Sequence, residues 1–201
     1  KVETIKGISG RINFNNSGLS SEKINAEVLS LPVEAKVKLN DYSDPQLKME
    51  ITAPNLDIKD TQQILEEKFK ISIPADIEGK GRLFVSLETK LFHKDTPTIN
   101  GFLDILESTA KIDRISPPFK NINGKLAFNL NKLQWSELNF DFFDVTYKSK
   151  GTLADFSSPS VSLSLDSKDL HLESDFDFKD NLLRLSGLNG KYLNSNFSCK
   201  G

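Results

Sequence analysis

A single cysteine, Cys199, among 201 residues leaves no partner for an internal disulfide, and it excludes both a disulfide-stapled scaffold and a cysteine-rich metal site. Apolar residues make up only 37% of the chain, little for one compact core of this length. Nowhere do they run long enough for a signal-peptide core or a membrane span. An excess of one charge is missing too. The 26 basic and 28 acidic residues are spread along the chain and leave a net charge of −2, so there is neither a nucleic-acid footprint nor an acidic tail. Histidine is scarce: His93 and His171 lie far apart with no carboxylate at ligand spacing, and both read as surface residues.

The remaining candidates for chemistry are equally bare. Asp175 and Asp177 share one side of a strand whose other side is Phe176 and Phe178, which makes them a solvated face rather than a catalytic pair. Gly79-Lys80-Gly81 is too short for a phosphate loop and precedes no helical pattern, so it reads as turn or strand-edge glycine. Cys199 ends an alternating run without a nearby histidine and reads as a small half-buried residue, not a nucleophile. The expectation is a chain that is not an enzyme, with no catalytic residues, no metal ligands and no cofactor.

What the chain has instead is internal repetition. Ile8-Ser9-Gly10-Arg11-Ile12-Asn13-Phe14 recurs as Ile122-Asn123-Gly124-Lys125-Leu126-Ala127-Phe128, a shift of 114 residues. Leu39-Asn40-Asp41-Tyr42-Ser43-Asp44-Pro45 recurs at the same shift as Leu153-Ala154-Asp155-Phe156-Ser157-Ser158-Pro159. About a dozen identities fall in about fifty aligned positions, the mark of a repeat architecture. At a shift of 50, residues 128–151 match 178–201. The copies are placed at approximately 6–58 and 120–172, with a partial further copy at 178–201, in one repeat-built β segment over 1–201. The start at Lys1 and the end at Gly201 in mid-pattern read as a segment excised from a longer protein.

Each copy is dominated by period-two alternation, which sets one strand face in apolar surroundings and the other in water. The apolar parity carries Val33, Ala35, Val37 and Leu39, then Leu47, Met49 and Ile51, then Leu83, Val85 and Leu87, then Val161, Leu163 and Leu165. Lys, Glu, Ser, Gln, Arg and Asp interleave, with Phe84 the main exception. Phe140 and Phe142 share one parity while Phe143, Val145 and Tyr147 share the other. That switch requires a turn or bulge near Phe143-Asp144 and a hairpin from Trp135 to Gly151. One segment departs from alternation: residues 60–69 contain good helix formers, with Asp60 as a candidate cap and Ile64, Leu65 and Phe69 as an apolar stripe. This reads as a helical insertion into one repeat.

Alternation leaves two arrangements open. The apolar side chains form an ordinary sandwich or barrel core, or they line a long curled sheet whose apolar face holds material that is not protein.

The succession Asn100-Gly101-Phe102-Leu103-Asp104-Ile105, then Ile115 to Leu126 with its Ser116-Pro117-Pro118 turn, then Leu133 to Leu138, then Tyr147 to Phe156, resembles the AsmA-like (TamB-like) family of bacterial cell-envelope proteins. Val37 in place of the hairpin-ending Gly151, and the insertion at 60–69, depart from that rhythm. The resemblance implies an all-β, long, curved antiparallel sheet, a U-shaped groove built from repeated hairpin units with one short helix. It also implies a periplasmic protein, anchored in the inner membrane by an N-terminal helix, that carries phospholipid or other acyl lipid between inner and outer membranes, as the chorein-type bridge proteins of eukaryotes do. The groove would be lined by Val33, Ala35, Val37, Leu39, Leu47, Met49, Ile51, Phe140, Phe142, Val145, Tyr147, Val161, Leu163 and Leu165. Envelope proteins are further expected partners, and nucleic acid is not. The alternative expectation is a structural or assembly scaffold of the envelope, either a closed β-sandwich or a surface β repeat whose apolar face is covered by protein.

Overall fold

The computed structural model describes residues 5–64, 66–67, 75–113, 115–179 and 182–200. They form one open antiparallel sheet of 14 strands and one short helix. The strands are β1 (Ile5–Gly10), β2 (Asn13–Asn15), β3 (Gly18–Val28), β4 (Leu31–Asn40) and β5 (Gln46–Asp57), then the helix α1 (Ile58–Ile64). There follow β6 (Ala75–Lys90), β7 (Thr98–Ile112), β8 (Phe119–Asn129), β9 (Lys132–Phe142), β10 (Val145–Ala154) and β11 (Ser160–Asp166). The sheet ends with β12 (Leu170–Lys179), β13 (Leu182–Tyr192) and β14 (Ser195–Cys199). From β3 onward every strand pairs with its neighbours in sequence, while β1 and β2 lie end to end along the outer side of β3. The alternation read from the sequence is therefore the alternation of a single sheet, not of two sheets packed together.

The shift of 114 is a structural equivalence. Applied to β1 and β2 it gives the ends of β8; applied to β3 and β4 it gives β9 and β10. The pairings correspond as well: Gly10 opposite Ile24 becomes Gly124 opposite Leu138, and Ser21 opposite Val37 becomes Trp135 opposite Gly151. Between those pairs β3 and β9 each carry one residue more than β4 and β10, a bulge that bends the strand and strengthens its twist. The shift of 50 carries the same bulge to β13, between Leu185 and Leu188.

Turns repeat in the same detail. Asp41 (φ 57°) and Asp155 (φ 53°) are both left-handed, and each side chain accepts hydrogen bonds from the N–H groups two and three residues on, at 2.9 and 3.3 Å for Asp41 and 3.1 and 3.3 Å for Asp155. An Asx turn of this kind explains why Asp is retained in both copies. The hairpin predicted near Phe143-Asp144 is present, and both residues have positive φ, as do their equivalents Leu29 and Ser30. Two consecutive left-handed residues give the primed turn whose twist suits an antiparallel hairpin.

Three readings are corrected by the structure. The helix begins at Ile58, not at 60, and its cap is Asp57, whose carboxylate accepts from the N–H groups of Lys59 and Asp60 at 3.1 and 3.2 Å. Of the predicted span 60–69, residues 65, 68 and 69 lie outside the described residues. Gly79 and Gly81 are not at a turn but inside β6: Gly81 lies between β5 and β7, and Gly79, just past the end of β5, lies against Ser108 at a bulge. Cys199 is exposed rather than half-buried, because β14 is the last strand of the sheet.

The bulge imposes a side-chain requirement on the strand beside it. A Cβ on Gly124 would stand 2.5 Å from the Glu137 carbonyl oxygen, and one on Gly10 would stand 2.6 Å from the Lys23 carbonyl oxygen, its equivalent. In the third copy Ser174 occupies the position, and its hydroxyl donates to the corresponding Gly187 carbonyl at 3.2 Å. By contrast, a Cβ on Gly187 itself meets nothing within 4 Å. Gly124→Ala is expected to destabilise the chain by about 1–3 kcal/mol, because backbone must shift to admit the methyl group. That corresponds to a melting temperature lower by roughly 3–10 °C for a chain of this size. Gly187→Ala is expected to leave the melt within about 1–2 °C of the parent. Thermal unfolding followed by circular dichroism checks both; equal effects at the two glycines contradict the bulge argument.

Candidate functional face

Direct cross-strand partners point to the same side of a sheet, so the registers can be chained into rows. One row runs Ile24, Ala35, Ile51, Val85, Gly101, Phe128, Leu133, Leu153, Val161, Phe176, Leu185, from β3 to β13, without one polar side chain. At about 4.8 Å per strand its path is roughly 48 Å long. A parallel row runs Ala53, Leu83, Leu103, Leu126, Trp135, Gly151, Leu163, Ser174, Leu188.

All fourteen residues expected to line a groove lie on this one face. Val33, Ala35, Val37 and Leu39 meet Leu47, Met49 and Ile51 across β4 and β5, apart from Val33, which packs toward the helix. Val161, Leu163 and Leu165 continue the rows on β11. Phe140 stacks on Tyr147, with ring centroids 5.6 Å apart, and Phe142 pairs with Val145. Phe119 joins them, stacked on Phe142 at 4.7 Å and edge-on to Phe140 at 5.5 Å. The expected lining omitted Leu83, Val85, Leu103, Leu126, Phe128, Trp135 and Leu138. The alternation of Leu83, Val85 and Leu87 already placed three residues there; Trp135 and Leu138 were concealed because the bulge separates them by an odd number of residues.

Four serines and the Trp135 indole on this face turn their polar atoms inward. Ser21 donates to the Arg11 carbonyl, Ser108 to the Leu106 carbonyl and Ser174 to the Gly187 carbonyl, while the Trp135 indole N–H donates to the Ser149 hydroxyl at 2.9 Å. These four serines are buried beneath larger neighbours. Glycines beneath aromatic rings close the surface further: a Cβ on Gly101 would strike Phe128, one on Gly151 would strike Trp135, and one on Gly190 would strike Phe197.

Among the described residues nothing closes over the face except the helix. Among the described residues, contacts between elements join sheet neighbours only, apart from α1 against β5 and β6. Among the described residues the buried apolar ones are Ala53, Leu56, Ile58 and Ala110, and the largest fully buried side chain is Ser108. A sandwich of this many strands would bury Leu, Phe and Trp completely. The closed β-sandwich is therefore ruled out for this sheet. The accessible surface, 13864 Å², compares with roughly 9,500 Å² for a compact monomer of this mass.

α1 covers the β5–β7 end of the second row. Ile58 forms a cluster with Ala53 and Leu56, flanked by Leu31, Val33, Ile77, Leu83, Leu103 and Ile105. The Gln62 amide holds it there by donating to the Ala75 carbonyl at 2.7 Å and accepting from the Ile77 N–H at 3.3 Å, so it satisfies backbone groups of β6 beyond the end of β5. Lys59 pairs with Glu78 at 2.7 Å; this contact raises the lysine pKa and lowers that of the carboxylate.

The opposite face is polar and ion-paired. Lys48 meets Glu88 at 2.8 Å, Lys23 meets Glu34 at 2.8 Å, and Arg82 meets Asp104. Phe84 is accommodated there by stacking on Phe102 at 5.2 Å, with the Lys125 ammonium 3.6 Å from the Phe102 ring centre. The histidines do have carboxylate partners, contrary to the sequence reading: His93 meets Asp44 at 2.9 Å, and His171 meets Asp166. Strand pairing brings these residues together from separate segments, and all four side chains are about half exposed. Among the described residues no group of three or more His, Cys, Asp or Glu side chains is placed to hold a metal ion. No helix among them is long and apolar enough to cross a membrane.

Comparison with known proteins gives no match: no protein-family model, no curated protein and no solved structure is similar to this chain.

An uncovered apolar face has a direct signature. The native chain is expected to bind 1-anilinonaphthalene-8-sulfonate with blue-shifted emission while retaining a cooperative thermal melt, and Trp135, its one tryptophan, is expected to transfer energy to the bound dye. Dye binding that begins only as the chain unfolds would mean that the face is covered in solution.

Proposed function

We propose that the chain is a section of a bridge-like lipid-transport protein, in which acyl chains of phospholipid lie along the apolar face while the ion-paired face contacts water. The observation that carries this reading is the unbroken apolar row across eleven strands, uncovered over most of its length. Burying each CH₂ of a ligand contributes on the order of 0.8 kcal/mol, so a few rungs hold an acyl chain without a specific polar contact. Successive rungs offer the same chemistry, so movement from one to the next meets no deep trap. The sequence resemblance to AsmA-like envelope proteins supports the same reading and extends it to a periplasmic protein, anchored in the inner membrane, that delivers lipid toward the outer membrane.

The test compares neighbouring positions on β4. Val37 faces Met49 in an apolar row, while Lys38 faces Lys48 on the ion-paired side. Val37→Glu sets a carboxylate among the acyl chains, and bound lipid measured by mass spectrometry of the purified chain is expected to fall by about tenfold or more. Lys38→Glu relieves a like-charge cross-strand pair and is expected to keep both lipid and fold. A parent chain that carries no lipid, alone or after incubation with phospholipid vesicles, overturns the proposal and favours a scaffold whose apolar face is covered by another protein.

A further inference from the structure

A depression of about 560 Å³ lies over β8 to β12; most of its lining residues belong to the polar face, with Trp135, Gly151, Leu163 and Ser174 of the second row between them. Its floor is made of short side chains, Thr152, Ser162 and Ser164, set among longer ones. Ser164 is only 6% exposed, and its hydroxyl has no hydrogen-bond partner. The other buried serines each have one, so this hydroxyl stands apart. A buried donor left unpaired is costly, and in a native chain it calls for an explanation.

Charge is arranged across that hydroxyl. Lys150 on β10 and Glu173 on β12 are the direct register partners of Ser164 on its two sides. Two strand spacings set their Cβ atoms about 10 Å apart, with the serine between them. Among the described residues Lys150 makes no ion pair, and the one contact of Glu173 with a basic group is His171 at 3.7 Å. Lys125, whose ammonium rests over the Phe102 ring in the free chain, lines the β8 side as a second cation, and Asp175, which accepts from Ser162 at 2.7 Å, is a second carboxylate on the β12 side. The basin is thus neutral overall, cationic at one end and anionic at the other.

We infer that this basin is a binding site for a small zwitterion of the phosphoethanolamine class. The phosphate lies at the Lys150 and Lys125 end and accepts the Ser164 hydroxyl, and the ammonium lies at Glu173 and Asp175. A simple anion would satisfy the lysines and be repelled by the two carboxylates, whereas a phosphate ester with an amine two carbons away satisfies both ends and the orphan hydroxyl together. The site is independent of the proposed lipid path: a lipid whose chains lie on the apolar face cannot reach it through the sheet.

The experiment is a titration of the isotopically labelled full chain with glycerophosphoethanolamine, followed by amide chemical shifts. Saturable shifts at Lys150, Ser164 and Glu173 are expected, with Lys150→Glu weakening binding by about tenfold or more. Ser164→Ala is expected to weaken it several-fold and to leave the thermal melt unchanged or slightly raised, since it removes a buried hydroxyl that bonds nothing in the free chain. Phosphatidylethanolamine vesicles form the second arm, read only as shifts at Lys150, Ser164 and Glu173: vesicle-induced shifts there that Lys150→Glu removes assign the ligand to a lipid head group, and their absence assigns it to a free phosphate ester, either result supporting the site. The inference is overturned if the soluble compound produces no shifts, if inorganic phosphate alone reproduces them, or if Lys150→Glu leaves them unchanged. None of these outcomes depends on whether acyl lipid binds the opposite face.

Discussion

The backbone ladder between sequence neighbours is the interaction on which this molecule depends. Strands β3 to β14 are hydrogen-bonded in chain order, and among the described residues no element apart from the small helix reaches past its neighbours. Such a chain has no central core to distribute stability, so each hairpin must be held by its own pairing and by the side chains directly opposite. The copies show how strictly this local rule is kept. The same bulge, the same Asx turn and the same left-handed hairpin residues return at fixed shifts, because each repeat must solve its pairing problem without help from a distant part of the fold.

Bulges and small residues together shape the sheet. A bulge increases twist and bends its strand, and it pushes a carbonyl toward the adjacent strand, where only glycine or a hydrogen-bonding serine fits. Gly10, Gly124 and Ser174 are three answers to that one demand. Small residues next to large ones also keep the apolar face continuous, since Trp135, Phe128 and Phe197 lie over glycines instead of displacing neighbours. Twist, packing and surface chemistry therefore have a common origin in the repeat.

Much of this was legible in the sequence because period-two alternation and internal shifts are direct consequences of sheet geometry. The hairpin at Phe143-Asp144, the equivalence of Asp41 with Asp155 and the shared face of Val33 to Ile51 could all be read before any coordinates. Other features could not. The bulge between Trp135 and Leu138 inverts parity without a marker residue, so it concealed part of the apolar face. The helix start was misplaced because Asp57 and Asp60 are both acceptable caps, and only the fold shows that Ile58 is needed over Ala53 and Leu56. The carboxylate partners of His93 and His171 were hidden because strand pairing unites residues that sequence spacing keeps apart. Alternation was also silent on whether the apolar face was closed. That depended on what lies above the sheet, which one strand's pattern does not encode.

The two faces answer different physical demands, and the contrast bears on function. On the ion-paired face charges are matched locally, Lys48 with Glu88 and Arg82 with Asp104, which keeps a broad surface soluble while contributing little to stability at such exposure. On the apolar face specificity is nearly absent: hydroxyls are turned inward and every rung presents hydrocarbon. A surface that discriminates among ligands needs convergent polar groups at fixed positions, and a surface that must let a ligand slide needs their absence. The repeat has removed polar groups from one face over a path of roughly 48 Å. The helix packs beside that path, over Ala53, Leu83 and Leu103 of the second row, so most of the face remains available to a long, flexible, apolar ligand. This combination of length, uniformity and exposure is what sets the proposed acyl-chain path apart from an ordinary hydrophobic core, in which the same residues would be sealed from anything the protein could carry.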